Sequence, residues 1–197
     1  MYYLLLDSSN KYLSVGLSKD NVVVDKIFYE AWQRQSEVMI NEIHNIMQKN
    51  NVSNKDLDGV VVGIGPGSYT GVRIAITIAK TIAFALKIKI YKVSSLSLLR
   101  DENRPTICLF NARSGRSYFG VYEGDKTLYE DDVLPNEIVQ KYIDEHKDYL
   151  INGDAYLFGK ESGKFDIIDN LRKGVNEKNL VENIFSLNPI YLKDLMK

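Results

Sequence analysis

The alternation of apolar and polar residues divides the first half of the chain into short strands and two helices. Leu13, Val15 and Leu17 alternate with small or polar residues, which is typical of a strand with one buried face. Apolar residues at a period of 3.6 over residues 36–49 predict an amphipathic helix. Residues 60–64 are apolar or glycine throughout, which predicts a strand buried on both faces. The predicted strands are residues 3–9, 12–18, 21–29, 60–64 and 88–93, and the predicted helices are residues 36–49 and 70–86.

The second half repeats this order more faintly. Shifting the chain by 104 residues lays Asp7 on Asn111 and Gly16 on Gly120. The shared order of three strands, a helix and a strand favours an internal duplication. A boundary at the polar, proline-ended residues 101–105 would give two lobes, residues 1–100 and 101–197. The predicted strands are residues 106–112, 117–122, 126–131 and 149–152, the predicted helix is 135–145, and residues 153–180 are predicted as loops before a short helix near 178–185.

Composition and charge limit the classes of protein that fit. With 45% hydrophobic and 26% charged residues, the 197-residue chain can bury a core, which excludes low-complexity disorder. A net charge of -1 offers no overall field to attract a polyanion such as tRNA. If tRNA is bound, a partner is therefore expected to supply many of the contacts with it. The apolar residues 2–6 are too few for a signal peptide or a membrane span. We therefore expect a cytoplasmic protein that does not enter a membrane.

Cysteine and histidine are too sparse to suggest a metal or disulfide framework. Cys108 is the only cysteine, and its apolar neighbours predict core packing. His44 and His146 lack the HxxxH or HExxH spacing, which speaks against a zinc site and a metallopeptidase. His44 and Trp32 are expected to serve surface or core packing.

A glycine-rich stretch follows the buried strand and precedes the second helix. Glycines allow a tight turn and a close approach, and a helix N-terminus offers N–H groups to an anion. The spacing is neither that of a P-loop nor that of a dinucleotide fingerprint, so a purely structural turn is favoured over a phosphate cradle. Asp7, Ser8 and Ser9 could hold a metal-bound phosphate through the carboxylate and the hydroxyls, although ordinary turn chemistry also explains them. Asn111 at the position matching Asp7 weakens a two-sided metal-nucleotide site.

The helix over residues 70–86 carries a narrow polar stripe on a wide apolar surface. Ala75, Ala79 and Ala83 are spaced by four residues, and small side chains at that spacing let another helix approach closely. This helix either packs against residues 36–49 inside the domain or forms part of a subunit interface, or does both with different faces. The polar stripe consists of Arg73, Thr77, Lys80 and Thr81, and the first helix places Met39, Ile40, Ile43, Ile46 and Met47 on one face.

The motifs together resemble the TsaB family. Residues 65–74, GPGSYTGVRI, are similar to the family's GPGSFTGLRI. Further matches follow in the family's order from residue 5 to residue 193. They are LLDSS at 5–9 for the LDTS opening, Ala79-Lys80 for AKG, VSSL at 93–96, Asn111-Ala112-Arg113 with Tyr118 for DAR and its tyrosine, and PIYLK at 189–193 for P-x-YLR.

The resemblance implies an α/β protein with the duplicated actin- and hexokinase-like (ASKHA, ribonuclease H-like) fold. Each lobe would have a mixed sheet with flanking helices, and the second lobe would be shortened. The family's members support a TsaD-like transferase in threonylcarbamoyladenosine modification of tRNA without transferring the group themselves. The implied partners are the TsaD-like subunit in a heterodimer, a TsaE-like ATPase and tRNA through the complex. The isolated chain could form a homodimer.

The resemblance also implies site residues. It predicts no catalytic residue, no metal and no cofactor beyond weak ATP or ADP binding in the complex. The family's interface is built by the helices equivalent to residues 36–49 and 71–86. The degenerate nucleotide loop would contain Asp7, Ser8, Gly65, Gly67 and Ser68, and the partner interface Met39, Ile43, Val72, Arg73, Ala75, Ile76, Ala79, Lys80 and Ala83. The chain departs from the family at Gln35, Thr81 and Asn111, where histidine, glycine and aspartate are usual.

An alternative is a free-standing enzyme of the same superfamily. It would use Asp7 and the turn at residues 65–71 to hydrolyse ATP or to phosphorylate a small molecule. This hypothesis predicts measurable magnesium-ATP affinity for the isolated chain.

Overall fold

Two mixed β-sheets organise the chain. The structure is a computed structural model that describes residues 1–31 and 33–192. In both sheets, the first three strands pair antiparallel and the fourth joins the first in parallel. The first sheet contains β1 (Tyr2–Asp7), β2 (Tyr12–Lys19), β3 (Val22–Glu30), β4 (Leu57–Gly63) and β5 (Lys89–Val93) in the order β3-β2-β1-β4-β5. The second contains β6 (Thr106–Asn111), β7 (Arg116–Glu123), β8 (Lys126–Pro135) and β9 (Leu150–Gly153) in the order β8-β7-β6-β9.

The strand order confirms the predicted duplication. Shifted by 104 residues, β1 and β2 coincide from end to end with β6 and β7. Among the described residues the second sheet has four strands, so the second unit is the shorter one, as expected. The chain therefore has the duplicated α/β fold of the actin and hexokinase-like class. The division into residues 1–100 and 101–197 stays a prediction.

Helices cover both faces of the first sheet. α1 (Gln35–Lys49) and α2 (Tyr69–Leu86) share one buried cluster with the inward side chains of β1, β2 and β4, among them Leu4, Leu13 and Val60. On the opposite face, α4 (Ile167–Arg172) packs against Leu5 and Val61. α3 (Asn136–Glu145) packs against the second sheet. α2 is also long and apolar enough to cross a membrane, with mean hydropathy 1.3, a property that it shares with core helices of globular domains.

α4 corrects the expectation that residues 153–180 form only loops. The side chain of Asp166 caps the helix by accepting hydrogen bonds from the backbone N–H groups of Ile168 and Asp169. A Cβ atom at Gly16 would lie 2.6 Å from Cγ2 of Ile168, so glycine in β2 allows the helix to approach the sheet. A helix of six residues is too short to show a period in sequence.

The helix predicted near residues 178–185 is wrong. Two separate 3₁₀ turns, Glu177–Asn179 and Ile184–Ser186, occupy this region. Asn176 and Asn183 each accept a hydrogen bond from the backbone of the turn that follows, which competes with a continuous helix. Residues 180–191, called the C-terminal strap below, run beside α2 from the backbone of Ile90 to that of Ile64.

Buried asparagines hold the linker between the two sheets. The side-chain amide of Asn152 donates to the carbonyl of Leu99 at 2.6 Å. The amide of Asn170, in α4, donates to the carbonyls of Leu98 and Arg100, both at 3.0 Å. Three consecutive carbonyl groups of the linker are therefore bound by side chains from elsewhere in the fold.

Candidate functional site

The glycine-rich turn lies between β4 and α2, where the sequence predicts it. Gly65 has a φ of 93°, a left-handed conformation that favours glycine. Ser68 caps α2, because its Oγ accepts a hydrogen bond from Gly71 N at 3.3 Å. Ser95 holds the other end: its Oγ accepts from Gly65 N at 2.9 Å and its N donates to Gly65 O at 2.8 Å. The turn is therefore held at both ends.

The loop after β1 fills the space in front of this turn. Ser68 N donates to Ser9 O at 2.6 Å, and Ser8 Oγ donates to Gly71 O at 2.7 Å. A Cβ atom would lie 2.3 Å from Ser9 O at Gly67, and 1.9 Å from Ser8 O at Gly71. The glycines thus admit the chain's own loop. Carbonyl oxygens lie against the turn, whereas a phosphate would require free N–H donors.

Asp7 is fully buried beneath the turn. Its Oδ2 accepts hydrogen bonds from Ser9 N at 3.1 Å and Ser9 Oγ at 2.9 Å, and its Oδ1 accepts from Ser95 Oγ at 3.0 Å. Burial raises the pKa of Asp7 to about 6, although these hydrogen bonds act in the opposite direction. A Cβ atom at Gly63 would lie 2.0 Å from Asp7 Oδ1. The carboxyl group therefore lies inside the protein where the ends of β1, β4 and β5 meet.

The matching position in the second lobe has a different environment. Asn111 is exposed, its N donates to Asp154 Oδ2 at 2.7 Å, and its Oδ1 accepts from Arg113 N at 2.8 Å. Burial raises the pKa of Asp154, and the hydrogen bond from Asn111 opposes this shift. Sequence reasoning missed Asp154, although its position after Gly153, at the end of a strand, was a usable signal.

A cleft of about 1040 Å³ lies between the two lobes. Of the five residues of the predicted nucleotide loop, Gly67 and Ser68 line it, together with Asp154 and Asn111 from the second lobe. Aromatic side chains make up much of the wall. They are Tyr12, Tyr69, Phe110, Tyr118, Tyr156 and Phe165. The cleft has room for a small molecule, but its end at the glycine turn is occupied by the loop after β1.

Seven of the nine predicted interface residues lie inside the subunit. The alanines of α2 are fully buried and face the sheet, so their small size allows a close approach of helix to sheet. Burial leaves these seven side chains little surface that a partner could contact, and their place in the partner interface stays a prediction. They are Met39, Ile43, Val72, Ala75, Ile76, Ala79 and Ala83. For Arg73 and Lys80 direct contact stays a prediction.

Arg73 and Lys80 bind the C-terminal strap. Arg73 Nε donates to the hydroxyl of Tyr191 at 2.6 Å, and its guanidinium lies 4.0 Å from the ring centre of Tyr69. Lys80 Nζ donates to the backbone carbonyl of Leu187 at 3.1 Å. The polar stripe predicted from sequence therefore serves, in part, to attach this segment to α2.

Two large apolar side chains on the same pair of helices face outward. Ile40 of α1 is 53% exposed and Phe84 of α2 is 63% exposed. Sequence periodicity placed Ile40 on the buried face with Met39 and Ile43, which is wrong for Ile40 alone. The threonine Thr77 is also exposed on α2. These three residues are among those that a partner on this surface could reach.

The histidines and the cysteine have ordinary surroundings. His44 is exposed, and the ring of His146 stacks on Tyr142 with centres 4.0 Å apart. Cys108 is buried, as predicted, and burial raises its pKa. Within residues 1–31 and 33–192, no three His, Cys, Asp or Glu side chains are grouped so that they could hold a metal ion. Trp32 lies outside the described residues.

A family model described as "TsaD: tRNA N6-adenosine threonylcarbamoyltransferase" matches residues 29–150, which is more than half of the chain. The chain belongs to the TsaD family. Within it, the chain is of the TsaB type. It is 36% identical over 143 residues to the "tRNA threonylcarbamoyladenosine biosynthesis protein TsaB" of Bacillus subtilis, and the match covers 71% of this chain and 62% of that protein. It thus spans less than two thirds of that relative.

A second TsaB relative matches along nearly the whole length. The protein of the same name from Buchnera aphidicola subsp. Schizaphis graminum is 27% identical over 198 residues, covering 94% of this chain and 93% of that one. Among solved structures, "YeaZ from Pseudomonas aeruginosa" superposes with a TM-score of 0.82 at 21% identity, covering 97% of this chain and 99% of that one. The latter match shows a shared fold.

Departures from the TsaB pattern are accommodated by local hydrogen bonds. Thr81, at a usual glycine position, donates its hydroxyl to Thr77 O at 2.8 Å. Gln35, at a usual histidine position, is buried and its amide donates to Asn10 O at 3.2 Å. The TsaB closing motif meets the glycine-turn motif through Tyr191 and Arg73, while Lys193 lies outside the described residues.

Proposed function

We propose that this chain is a non-catalytic subunit that supports a TsaD-type transferase in the threonylcarbamoyladenosine modification of tRNA. Two relatives are named as TsaB biosynthesis proteins, and the matching family model carries the name of the transferase itself. A chain that belongs to the transferase family but does not transfer the group itself is suited to pair with the transferase. The chain acts as a heterodimer partner and scaffold.

The filled glycine turn is the observation that carries the non-catalytic role. In this chain Ser9 O already accepts the hydrogen bond of Ser68 N, the amide at the start of α2. A nucleotide phosphate placed at the turn would compete with this contact and face carbonyl oxygens. For the same reason, a free-standing nucleotide hydrolase or small-molecule kinase is not favoured.

The outer faces of α1 and α2 are the surface we assign to the TsaD-type partner. Ile40 and Thr77 are exposed on these helices, and their buried neighbours hold the two helices against the sheet. An exposed isoleucine gains free energy when it is covered by another protein. We therefore expect the TsaD-type partner to bind to the outer faces of α1 and α2.

The wider assembly follows from the same proposal. A TsaE-like ATPase joins the heterodimer, tRNA binds through the complex, and the isolated chain forms a homodimer through the same helix pair. The complex acts in the cytoplasm. Size-exclusion chromatography with light scattering, with and without the TsaD-type partner, distinguishes the homodimer from the heterodimer.

Substitution of Ile40 tests the interface. We expect Ile40→Glu to weaken partner affinity by about tenfold or more, since a charge replaces an apolar contact, and to leave the fold intact because the side chain is exposed. Calorimetric titration measures the affinity, and nucleoside mass spectrometry of tRNA from complemented deletion cells measures the modification.

Ile138→Glu is the matched control, because Ile138 is 52% exposed on α3 and lies in the other lobe. It should leave affinity and modification unchanged. Full affinity of Ile40→Glu would contradict the interface. Normal modification in cells that lack the chain would contradict the function.

A further inference from the structure

Two adjacent serines follow β5, and each binds a carboxyl group. Ser95 Oγ donates a hydrogen bond to Asp7 Oδ1 at 3.0 Å, and Ser94 Oγ donates to Asp131 Oδ2 at 2.5 Å. Asp7 ends β1 in the first sheet, whereas Asp131 belongs to β8 in the second. Both serines lie in the segment VSSL at residues 93–96. This segment therefore connects a carboxyl group of one sheet with a carboxyl group of the other.

A β-bulge and a glycine make room for the side chain of Asp131. The pairing of β7 with β8 is irregular between Phe119 and Val121, so that Gly120 faces two residues of β8, Glu130 and Asp131. A Cβ atom at Gly120 would lie 2.7 Å from Asp131 Oδ1. Any other residue at this position would therefore displace the carboxyl group.

The carboxyl group of Asp131 is held from both sheets. Its Oδ1 accepts a hydrogen bond from the hydroxyl of Tyr122 in β7, while its Oδ2 accepts the hydrogen bond from Ser94. Tyr122 and Cys108 of the second sheet share a buried cluster with Leu96, which follows the two serines. Burial raises the pKa of Asp131, and the two hydrogen bonds oppose this shift. With a partner on each oxygen, the carboxyl group fixes the position of Ser94.

Ser95 extends this restraint to the glycine turn. Its Oγ accepts a hydrogen bond from Gly65 N at 2.9 Å, and its N donates to Gly65 O at 2.8 Å. Gly65 begins the turn that leads to Ser68, the cap of α2. A rigid, planar peptide bond joins Ser94 to Ser95, so a displacement of the first serine moves the second.

We propose that Asp131 is a positioning residue: through Ser94 and Ser95 it holds the glycine turn and the start of α2 in the arrangement that binds the TsaD-type partner. The inference rests on the proposed function in its last step, the binding of that partner to α1 and α2. A helix that is already held in its bound arrangement loses little freedom on association, which strengthens binding. The second lobe thus has an indirect share in partner binding.

The alternative is that Asp131 only stabilises the fold, and the pKa of Asp7 separates the two roles. Loss of the hydrogen bond from Ser95 disfavours the ionised form of Asp7 and raises its pKa. Removal of the negative charge of Asp131 acts in the opposite direction, because a like charge raises the pKa of a carboxyl group. A rise in the pKa of Asp7 therefore reports displacement of Ser95.

Asp131→Ala and Ser94→Ala, each in the isolated chain, test the positioning. Carbon-13 NMR of the side-chain carboxyl groups measures the pKa of Asp7, which should rise from about 6 by roughly 0.5 or more, since part of a hydrogen bond to a charged group is lost. Exchange of the amide hydrogens of Gly65 and Ser68 should become about tenfold faster. Ser94→Ala keeps the charge of Asp131 and removes a single hydroxyl group.

Two further variants serve as controls. Asp131→Asn keeps an oxygen that accepts a hydrogen bond and should restore the pKa of Asp7 and the slow exchange. Asp132→Ala removes the adjacent acid, whose Oδ1 accepts a hydrogen bond from Val133 N, and should change neither quantity. Thermal unfolding followed by circular dichroism verifies that each variant is folded.

Calorimetric titration with the TsaD-type partner measures the effect on binding. Asp131→Ala and Ser94→Ala should weaken the affinity by about threefold or more, because the partner must then order the start of α2. Asp131→Asn should bind within about twofold of the unchanged chain.

An unchanged or lowered pKa of Asp7 in either folded alanine variant overturns the proposal. A raised pKa with unchanged partner affinity overturns it as well, because the turn would then move without consequence for α2. Failure of the proposed function has a different signature, since the unchanged chain would then bind no TsaD-type partner, whatever the pKa of Asp7 in the variants.

Discussion

At the scale of the residue, the carboxyl group of Asp7 lies fully buried and accepts hydrogen bonds from Ser9 and Ser95. In sequence it was the strongest candidate for metal-phosphate chemistry. In the fold it connects the ends of β1 and β5, and the ionised form loses its hydration. The raised pKa, about 6, records that loss.

Asp7 makes stability depend on pH in a defined direction. Its pKa is about 6 when folded and 3.8 as the unperturbed reference, so between these values the folded state holds the proton more tightly. The resulting stabilisation is complete below the reference value and is lost as pH rises through about 6. Relative to Asp7→Asn, the free energy of unfolding should fall by about 2 kcal/mol between pH 4 and pH 7.

Urea unfolding of both proteins over this pH range measures the difference. Asp148→Asn, which alters an exposed acid, serves as the control and should give a nearly constant difference. A difference for Asp7→Asn that does not vary with pH would show that burial leaves the carboxyl group's titration unchanged.

Single residues also show where sequence reasoning ends. Glycine at positions 67 and 71 predicted a tight turn with a close approach, and the turn is there. What approaches is the backbone of Ser8 and Ser9, more than 50 residues away in sequence, and no local pattern reports such a contact. Likewise, periodicity could not distinguish buried Met39 from exposed Ile40, because adjacent positions at the edge of a helix face differ by only 100°.

At the scale of the element, α2 has separate tasks on separate faces. Its alanines lie against the sheet, Arg73 and Lys80 hold the strap, and Thr77 remains exposed. The sequence predicted the helix and its small-residue stripe. It left open whether the stripe faces the helix at residues 36–49 or a partner, and it did not foresee the sheet, because small residues allow close packing of any kind.

Substitutions on opposite faces of α2 should have opposite kinds of effect. Ala79→Glu places a charge without a partner in a fully buried position, which costs several kcal/mol and approaches the total stability of a small domain. We expect an unfolded or aggregated chain. Thr77→Glu, at an exposed position of the same helix, should leave the melting temperature within a few degrees and weaken partner binding.

Circular dichroism melting and co-purification with the TsaD-type partner measure the two effects separately. A folded Ala79→Glu protein that selectively fails to bind the partner would restore the alanine stripe as the interface and refute its assignment to the core.

The other elements were predictable in proportion to their length and regularity. All nine strands in the described part of the chain were recognised, since alternation or continuous apolar runs extend over most of them. The six-residue α4 and the strap were not. Their positions are set by contacts with the first sheet, and a short segment with asparagine or aspartate caps carries too little periodic signal.

At the scale of the whole molecule, the first sheet is packed against α4, a helix that follows the second sheet in sequence. Ile168 packs over Gly16 of β2, and Leu171 belongs to the same buried cluster as Leu5 of β1. The two sheets also share the linker that Asn152 and Asn170 hold. The duplicated halves are therefore joined by more than chain connectivity.

This coupling predicts one cooperative unfolding transition. Ile168→Ala should lower the free energy of unfolding by about 2–4 kcal/mol, because a fully packed side chain leaves a cavity, and amides of both sheets should lose protection from hydrogen exchange together. Ile138→Ala, at an exposed site, should change stability by about 0.5 kcal/mol or less. Wild-type protection retained in β6 and β7 of Ile168→Ala would show that the lobes unfold independently.

A hinge between lobes needs a few residues that are free to change φ and ψ. In this chain the carbonyl groups of Leu98, Leu99 and Arg100 each accept a hydrogen bond from an asparagine amide, so rotation at the linker would break bonds to buried groups. We therefore expect the width of the cleft to change little when a ligand or a partner binds. A subunit of this kind meets its partner as a rigid body and gives up little conformational entropy when it associates.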